Sequence, residues 1–275
     1  MDTHSHPIVV ATDLSARSDR PMERSILLAE QIDAPLVVLH VPGSKVPLDP
    51  DEELRLRSEI RDEFDLSVVN AEIVFEYGSV PDVIAKVAKQ KQCALTVTGV
   101  AQFNSPRDYL LGTAVDYLVR QSSTPVLVVK RRALKPYERL LVATDFSECS
   151  VEAVRAAGAM FPEAALRLVH SFHAAYEAFL ERESTIDFIQ GECEQSMKLL
   201  LEGLPDEVRC RVEGLNDEGL LGTVIAEEIT NWRADMLVVG SHGRSGLAHA
   251  TIGDTAADLL KTASCDVLLV RGVGH

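Results

Sequence analysis

Positive charge and aromatic side chains are scarce in this sequence. Lys and Arg total 27 against 42 Asp and Glu, a net charge of −15, and aromatic residues make up 5% of the 275. An acidic chain repels nucleic acid and anionic membranes unless it carries a local basic patch. The longest basic cluster is Lys130-Arg131-Arg132, so no nucleic-acid partner is expected. No apolar run reaches the ~20 residues of a membrane span. The opening Met1-Asp2-Thr3-His4-Ser5-His6 is polar and short, unlike a signal peptide. The cysteines (Cys93, Cys149, Cys193, Cys210, Cys265) are odd in number and lack a C-x-x-C pair, which points to a reduced, cytoplasmic setting with the thiols idle or packed in the core. The sequence also lacks a Walker loop, a G-x-G-x-x-G turn, a nucleophile elbow and any zinc-ligand spacing.

What is present is one unit written twice. Ile8-Val9-Val10-Ala11-Thr12-Asp13-Leu14-Ser15 recurs as Leu140-Leu141-Val142-Ala143-Thr144-Asp145-Phe146-Ser147. Leu36-Val37-Val38-Leu39-His40 recurs as Leu166-Arg167-Leu168-Val169-His170, and Leu95-Thr96-Val97-Thr98-Gly99 as Met236-Leu237-Val238-Val239-Gly240. The offset is 132 at Asp13/Asp145 and 141 at Gly99/Gly240. The second copy therefore carries its extra residues mainly between its second and fourth strands. One long period in two copies is duplication of a domain, since a solenoid needs a shorter period and more copies. The boundary falls near 132–136, giving domains 1–134 and 135–275.

Within each copy, unbroken apolar runs alternate with segments of helical spacing, as parallel strands covered by helices on both faces require. In the first copy strands are predicted at 8–12, 36–41, 71–75, 94–99 and 126–130. Helices are predicted after Pro21, over 49–64 with Leu54, Ile60 and Phe64 on the buried side, over 80–89 around Val83 and Val87, and over 113–121. The second copy repeats this order with a much longer helix, 174–202. Its Tyr176, Phe179, Ile186, Phe188 and Ile189 are too apolar for a freely solvated helix and are expected to cover an apolar surface.

The most informative stretch is 236–256, MLVVGSHGRSGLAHATIGDTA. An apolar strand ends in a glycine loop, and a helical pattern begins at its far side. Glycines let backbone approach an anion, and the free N–H groups of a helix start point at it. The spacing Gly240-x2-Gly243-x9-Gly253, with Gly-Ser-His-Gly-Arg-Ser-Gly before the gap and Cys265-Asp266-Val267-Leu268-Leu269-Val270 after it, resembles the signature of the universal stress protein superfamily. There the loop holds ATP phosphates. The resemblance covers essentially the whole chain, as a tandem pair.

The resemblance implies an α/β architecture: two flavodoxin-like domains, each a doubly wound five-stranded parallel sheet of order 3-2-1-4-5. Ligands in such sheets lie at the carboxyl ends of the strands, between strands one and four. It also implies that the domains form an intramolecular pseudo-dimer through 126–130 and 267–271, the chain being a monomer or homodimer. By position, Asp145 would approach the base or ribose, with Ala143 and Thr144 lining the base. His170 and Ser171 would offer backbone contacts. Gly240, Gly243 and Arg244, with the backbone of Gly253, Asp254, Thr255 and Ala256, would take the phosphates of AMP, ADP or ATP, with magnesium bridging anions.

Both copies depart from the signature. The first has Gln102 in place of the second glycine, so its loop is degenerate. The second has Asp254 where the family has Ser or Thr. Asp there is a good helix cap, and its charge opposes phosphate at the same N–H groups. Three functions remain open: a stress-response regulator binding adenine nucleotide in the second copy with a protein client as output, a slow ATPase at that site, or a partner- or apolar-ligand-binding protein with both nucleotide sites inactive. Asp13 and Asp145 equally suit plain loop-capping carboxylates at the sheet end.

Overall fold

A computed structural model describes residues 6–42, 47–100, 113–122, 124–173, 182–241 and 253–272. The chain divides into two units, Met1–Pro136 and Tyr137–His275. In unit 1 the strands β1 (Ile8–Thr12), β2 (Leu36–His40), β3 (Ala71–Phe75), β4 (Leu95–Gly99) and β5 (Val126–Val129) form a parallel sheet in the order β3-β2-β1-β4-β5. β1 and β4 are neighbours, with Ile8 opposite Leu95, so the chain reverses direction across the sheet between them. All of β2 is buried, as an apolar run covered on both faces must be.

The helices of unit 1 are α1 (Asp19–Gln31), α2 (Pro50–Glu63), α3 (Val80–Gln90) and α4 (Thr113–Gln121). α1 buries Met22, Ser25, Leu28 and Ala29, and α3 buries Val83, Ile84, Val87 and Ala88, each at the three-and-four spacing of one helix face. α2 starts where Asp49 accepts the Asp51 N–H at 2.8 Å, with Pro50 in the first turn. Its buried side is smaller than its periodicity predicts. Ile60 and Phe64 are buried, but Leu54 is 65% exposed. Arg57 does the covering instead. Its guanidinium lies 5.0 Å from the Phe75 ring centroid and donates to the Ile73 carbonyl at 2.6 Å.

Unit 2 repeats the frame with β6 (Arg139–Ala143), β7 (Ala165–Phe172), β8 (Val212–Glu218), β9 (Met236–Gly240) and β10 (Asp266–Val270), parallel in the order β8-β7-β6-β9-β10. Its helices are α5 (Glu148–Met160), α6 (Arg182–Glu202), the short α7 (Asp206–Arg209), α8 (Leu221–Asn231) and α9 (Asp254–Thr262). Tyr137 opens the unit. Its hydroxyl donates to the buried Asp266 carboxylate at 2.6 Å, and its ring meets Phe161 edge-on at 5.6 Å.

The extra length lies in α6, which the structure begins at Arg182; Tyr176 and Phe179 fall outside the described residues. The helix packs through Cys193, Met197 and Leu200, one face at helical spacing. Gly214 of β8 receives Met197, since a Cβ there would stand 2.6 Å from its Cγ. Phe188 does not join this face and is 69% exposed, while Ile186 and Ile189 are half-buried. Five residues before Cys193, Phe188 is turned about 140° away from the packed side. Apolar content therefore overstated how much of the helix is covered.

All five cysteines are free thiols. Burial pushes the Cys93 thiol up to about 11, which keeps it in its unreactive form. Among the described residues, no helix is long and apolar enough to cross a membrane.

Candidate functional site

The site is built on a turn that both units make identically. In unit 2 the Phe146 N–H donates to Thr144 Oγ1 at 3.1 Å, Thr144 Oγ1 and Ser150 Oγ lie 3.0 Å apart, and Ser150 Oγ donates to the Ser147 carbonyl at 2.9 Å. Each hydroxyl has one proton. With the Ser150 proton on Ser147, the Thr144 proton must go to Ser150. The direction of the whole relay is thereby fixed. Unit 1 repeats it with Leu14, Thr12, Ser18 and Ser15 at 3.1, 2.9 and 2.8 Å.

These bonds hold a residue that would not choose its backbone. Phe146 has φ of 60° and Leu14 of 57°, left-handed values that disfavour residues with a Cβ. The preceding carboxylate closes the turn from the other side. Asp145 Oδ1 accepts the Ser147 N–H at 3.0 Å, and Asp13 Oδ1 accepts the Ser15 N–H at 3.0 Å and its hydroxyl at 2.7 Å. The two aspartates are thus loop-capping groups as well as sheet-end carboxylates. At Asp13 burial pushes the pKa up, but the hydrogen bonds from Ser15 and Ser18 and from its own backbone together outweigh it and the net shift is downward.

A histidine ends strand two in each unit and pins the same turn. His170 Nδ1 is 2.8 Å from the Thr144 carbonyl, and His40 Nδ1 is 2.9 Å from that of Thr12. The carbonyl can only accept, so Nδ1 carries the ring proton. The His170 ring also packs on Phe146, centroids 4.3 Å apart. Replacing Thr144 by Val is expected to cost about 1–3 kcal/mol, because it strands the Phe146 N–H and removes the donor to Ser150. Thr144→Ser should keep most of that stability. Chemical denaturation of the two variants reads the difference, and equal stabilities would show that the hydroxyl relay contributes nothing.

Beyond this turn, the carboxyl ends of β6 and β9 open onto a cavity of about 380 Å³. Its walls include Ala143, Thr144 and Asp145 from the β6 side and Gly240 from β9. Gly253, Asp254, Thr255 and Ala256 close it at the start of α9. Gly240 lies against α5: a Cβ there would stand 3.0 Å from Cys149 Sγ and 3.1 Å from the Cys149 carbonyl oxygen. The first intrahelical bond of α9 runs from the Ala257 N–H to the Gly253 carbonyl at 3.0 Å. The N–H groups of Asp254, Thr255 and Ala256 precede it and have no partner within the helix.

The cap of α9 corrects the sequence expectation for Asp254. Gly253 is the N-cap, no side-chain capping bond forms, and Asp254 is the exposed first helical residue. With Gly253 already in extended backbone, φ −56° and ψ 144°, the cap position falls one residue earlier than Asp254. The charge stays in the cavity wall without being tied to the helix backbone.

The other expected residues are placed differently. His170 and Ser171 do not line the cavity; the Ser171 hydroxyl donates to the Gly219 carbonyl at 2.6 Å, beside β8. Gly243, Arg244 and Gln102 lie outside the described residues. Among the described residues no cluster of His, Cys, Asp and Glu has the arrangement to hold a metal ion. The structure adds Ser150, Ser241 and Leu221 to the wall. Ser150 was legible as the partner of Ser18 at the same offset of 132, but Leu221 and Ser241 carried no signal of their own.

A sequence model of the universal stress protein family matches residues 4–130 and again residues 136–271. The chain belongs to the universal stress protein family. Universal stress protein A homolog 2 of Coxiella burnetii is 46% identical over 48 residues, which span 18% of this chain and only 32% of that protein. A universal stress protein of Methanocaldococcus jannaschii is 26% identical over 151 residues, 49% of this chain and 82% of that one. Among solved structures, a Pseudomonas aeruginosa protein described as functionally unknown superposes with a TM-score of 0.64 at 21% identity, covering 97% of this chain and 92% of its own. At that identity the likeness speaks for the fold. The tandem universal stress protein therefore carries the family's α/β fold in both copies.

Proposed function

We propose that this tandem universal stress protein binds an adenine nucleotide in unit 2 and acts as a cytoplasmic regulatory or protective protein in the stress response. The observation that carries this is the 380 Å³ cavity between β6 and β9, into whose wall the unpaired N–H groups at the start of α9 fall. In this reading Ala143 and Thr144 flank the base, Asp145 stands toward the ribose, and Gly240 with the Gly253–Ala256 backbone receives phosphate. With a di- or triphosphate, Asp254 would help hold a magnesium ion, which would supply the positive charge that offsets the phosphates. The output is a protein client, bound by the chain as a monomer or homodimer.

Support comes from the family signature, from Gly240 at the point where backbone must approach the ligand, and from a wall that offers backbone donors. The deciding experiment is mass spectrometry of the extract from freshly purified, denatured protein, joined to calorimetric titration with AMP, ADP and ATP with and without magnesium. Adenine nucleotide in the extract and a saturable heat support the reading. Neither would leave unit 2 without a nucleotide function. Release of phosphate from bound ATP, measured on the same preparation, separates an ATPase from a binding protein.

A further inference from the structure

Unit 1 has its own cavity at the equivalent place, and its chemistry differs. It measures about 240 Å³ and is walled by Pro21, Leu39, Val41, Val80 and Ile84. At its floor the Pro21 ring stands 3.4 Å from where a Gly99 Cβ would be, and unit 2 has Ala153 in place of that proline. A proline ring thus stands where unit 2 has only the methyl group of an alanine. Thr12, Ser18 and Thr98 also line it, and its two charged side chains are the exposed Asp13 and Arg17. The Arg17 counterpart in unit 2 is Cys149, at the same offset of 132.

The Arg17 guanidinium makes no ion pair or hydrogen bond among the described residues, and neither does it rest on Asp13. The Asp13 carboxylate accepts the Ser15 N–H and hydroxyl through Oδ1 and lies in the cavity lining. An unpaired cation and a carboxylate on one aliphatic cavity fit a head group carrying both charges. By volume the cavity takes about eight water-sized groups. From this lining we infer that the unit 1 cavity binds a free aliphatic α-amino acid of leucine size, its carboxylate on Arg17, its ammonium on Asp13 and its side chain against Pro21, Val80 and Ile84. The site is separate from the nucleotide reading of unit 2 and stands or falls independently of it.

The full chain is titrated calorimetrically with leucine, with isohexanoate (which lacks the ammonium) and with isoamylamine (which lacks the carboxylate). Backbone amide NMR shifts locate the binding. Leucine is expected to bind and to move amides around Thr12, Gly99 and Ile84, with both analogues at least about tenfold weaker. Arg17→Gln, whose side chain holds no structural bond, is expected to weaken leucine at least about tenfold while the melting temperature stays put. Asp13→Asn, which keeps an acceptor for Ser15, is expected to do the same. The inference is overturned by no binding up to about 10 mM leucine, by isohexanoate matching leucine, by an unchanged affinity in Arg17→Gln, or by shifts confined to unit 2.

Discussion

Asp254→Ser is expected to raise the ATP affinity of unit 2 by about tenfold or more. The carboxylate lies in the cavity wall at the first residue of α9 and makes no capping bond. A phosphate placed ~4 Å from it meets a repulsion of about 1 kcal/mol in water, and about 4 kcal/mol at the effective dielectric of a protein surface. Serine removes that charge. AMP carries fewer charges to place near Asp254, so its affinity should change least, and ADP should fall between. The effect should shrink when magnesium is present, because the cation already neutralises the contact. Stability is expected to fall by no more than about 0.3–1 kcal/mol, the worth of an acidic residue at a helix start. Titration of both proteins with the three nucleotides checks the ranking. Equal ATP affinities would show that the carboxylate lies off the phosphate path.

Gly240→Ala should act on fold and site together. The added methyl meets Cys149 at 3.0 Å from Sγ, 3.1 Å from the carbonyl oxygen and 3.2 Å from the carbonyl carbon. A side-chain tip could turn away, but the backbone of α5 cannot do so without shifting the helix. Overpacking of this kind costs about 1–3 kcal/mol. The helix would also be pushed out at Ser150, which holds the Thr144 turn, so nucleotide binding should be lost along with the stability. Cys149→Ala in the Gly240→Ala background relieves only the Sγ contact and should restore part of the stability. Denaturation midpoints for the single and double variants read this. Wild-type stability in Gly240→Ala would mean that β9 and α5 are not in contact at this point.

Much of the fold was legible because parallel strands write themselves as unbroken apolar runs, and because each run occurs twice. The Thr-Asp-x-Ser turn was legible as a repeat, but its mechanism was not. Sequence shows that Thr144 and Ser150 recur at the offset of Thr12 and Ser18; only the structure shows the two hydroxyls within hydrogen-bond reach in each unit. The histidines illustrate the same gap. Their repetition was legible, but the bond from each ring to the Thr144 or Thr12 carbonyl was not. Periodicity misplaced Leu54 and apolar content misplaced Phe188, because neither can tell a side chain that packs from one that merely suits the pattern, and in α2 an arginine stem took the leucine's place. Asp254 was misread by one residue, since capping depends on the backbone angles of Gly253 and not on the residue type alone.

The two ends of the glycine segment in unit 2 come back to the same place. The Gly253 N–H donates to the Ser241 carbonyl at 3.0 Å, and the Ser241 N–H in turn donates to the Val270 carbonyl at 2.8 Å. Ser241 and Gly253 are therefore tied to each other and to the end of β10. Doubling the length of such a segment costs only about 0.6 kcal/mol in closure entropy. A closed stem of this kind suits a cassette. Its chemistry can be rewritten, lengthened or exchanged between the two copies while the strands and helices that hold it are left as they are, and a duplicated chain can in this way explore a second ligand without surrendering the first.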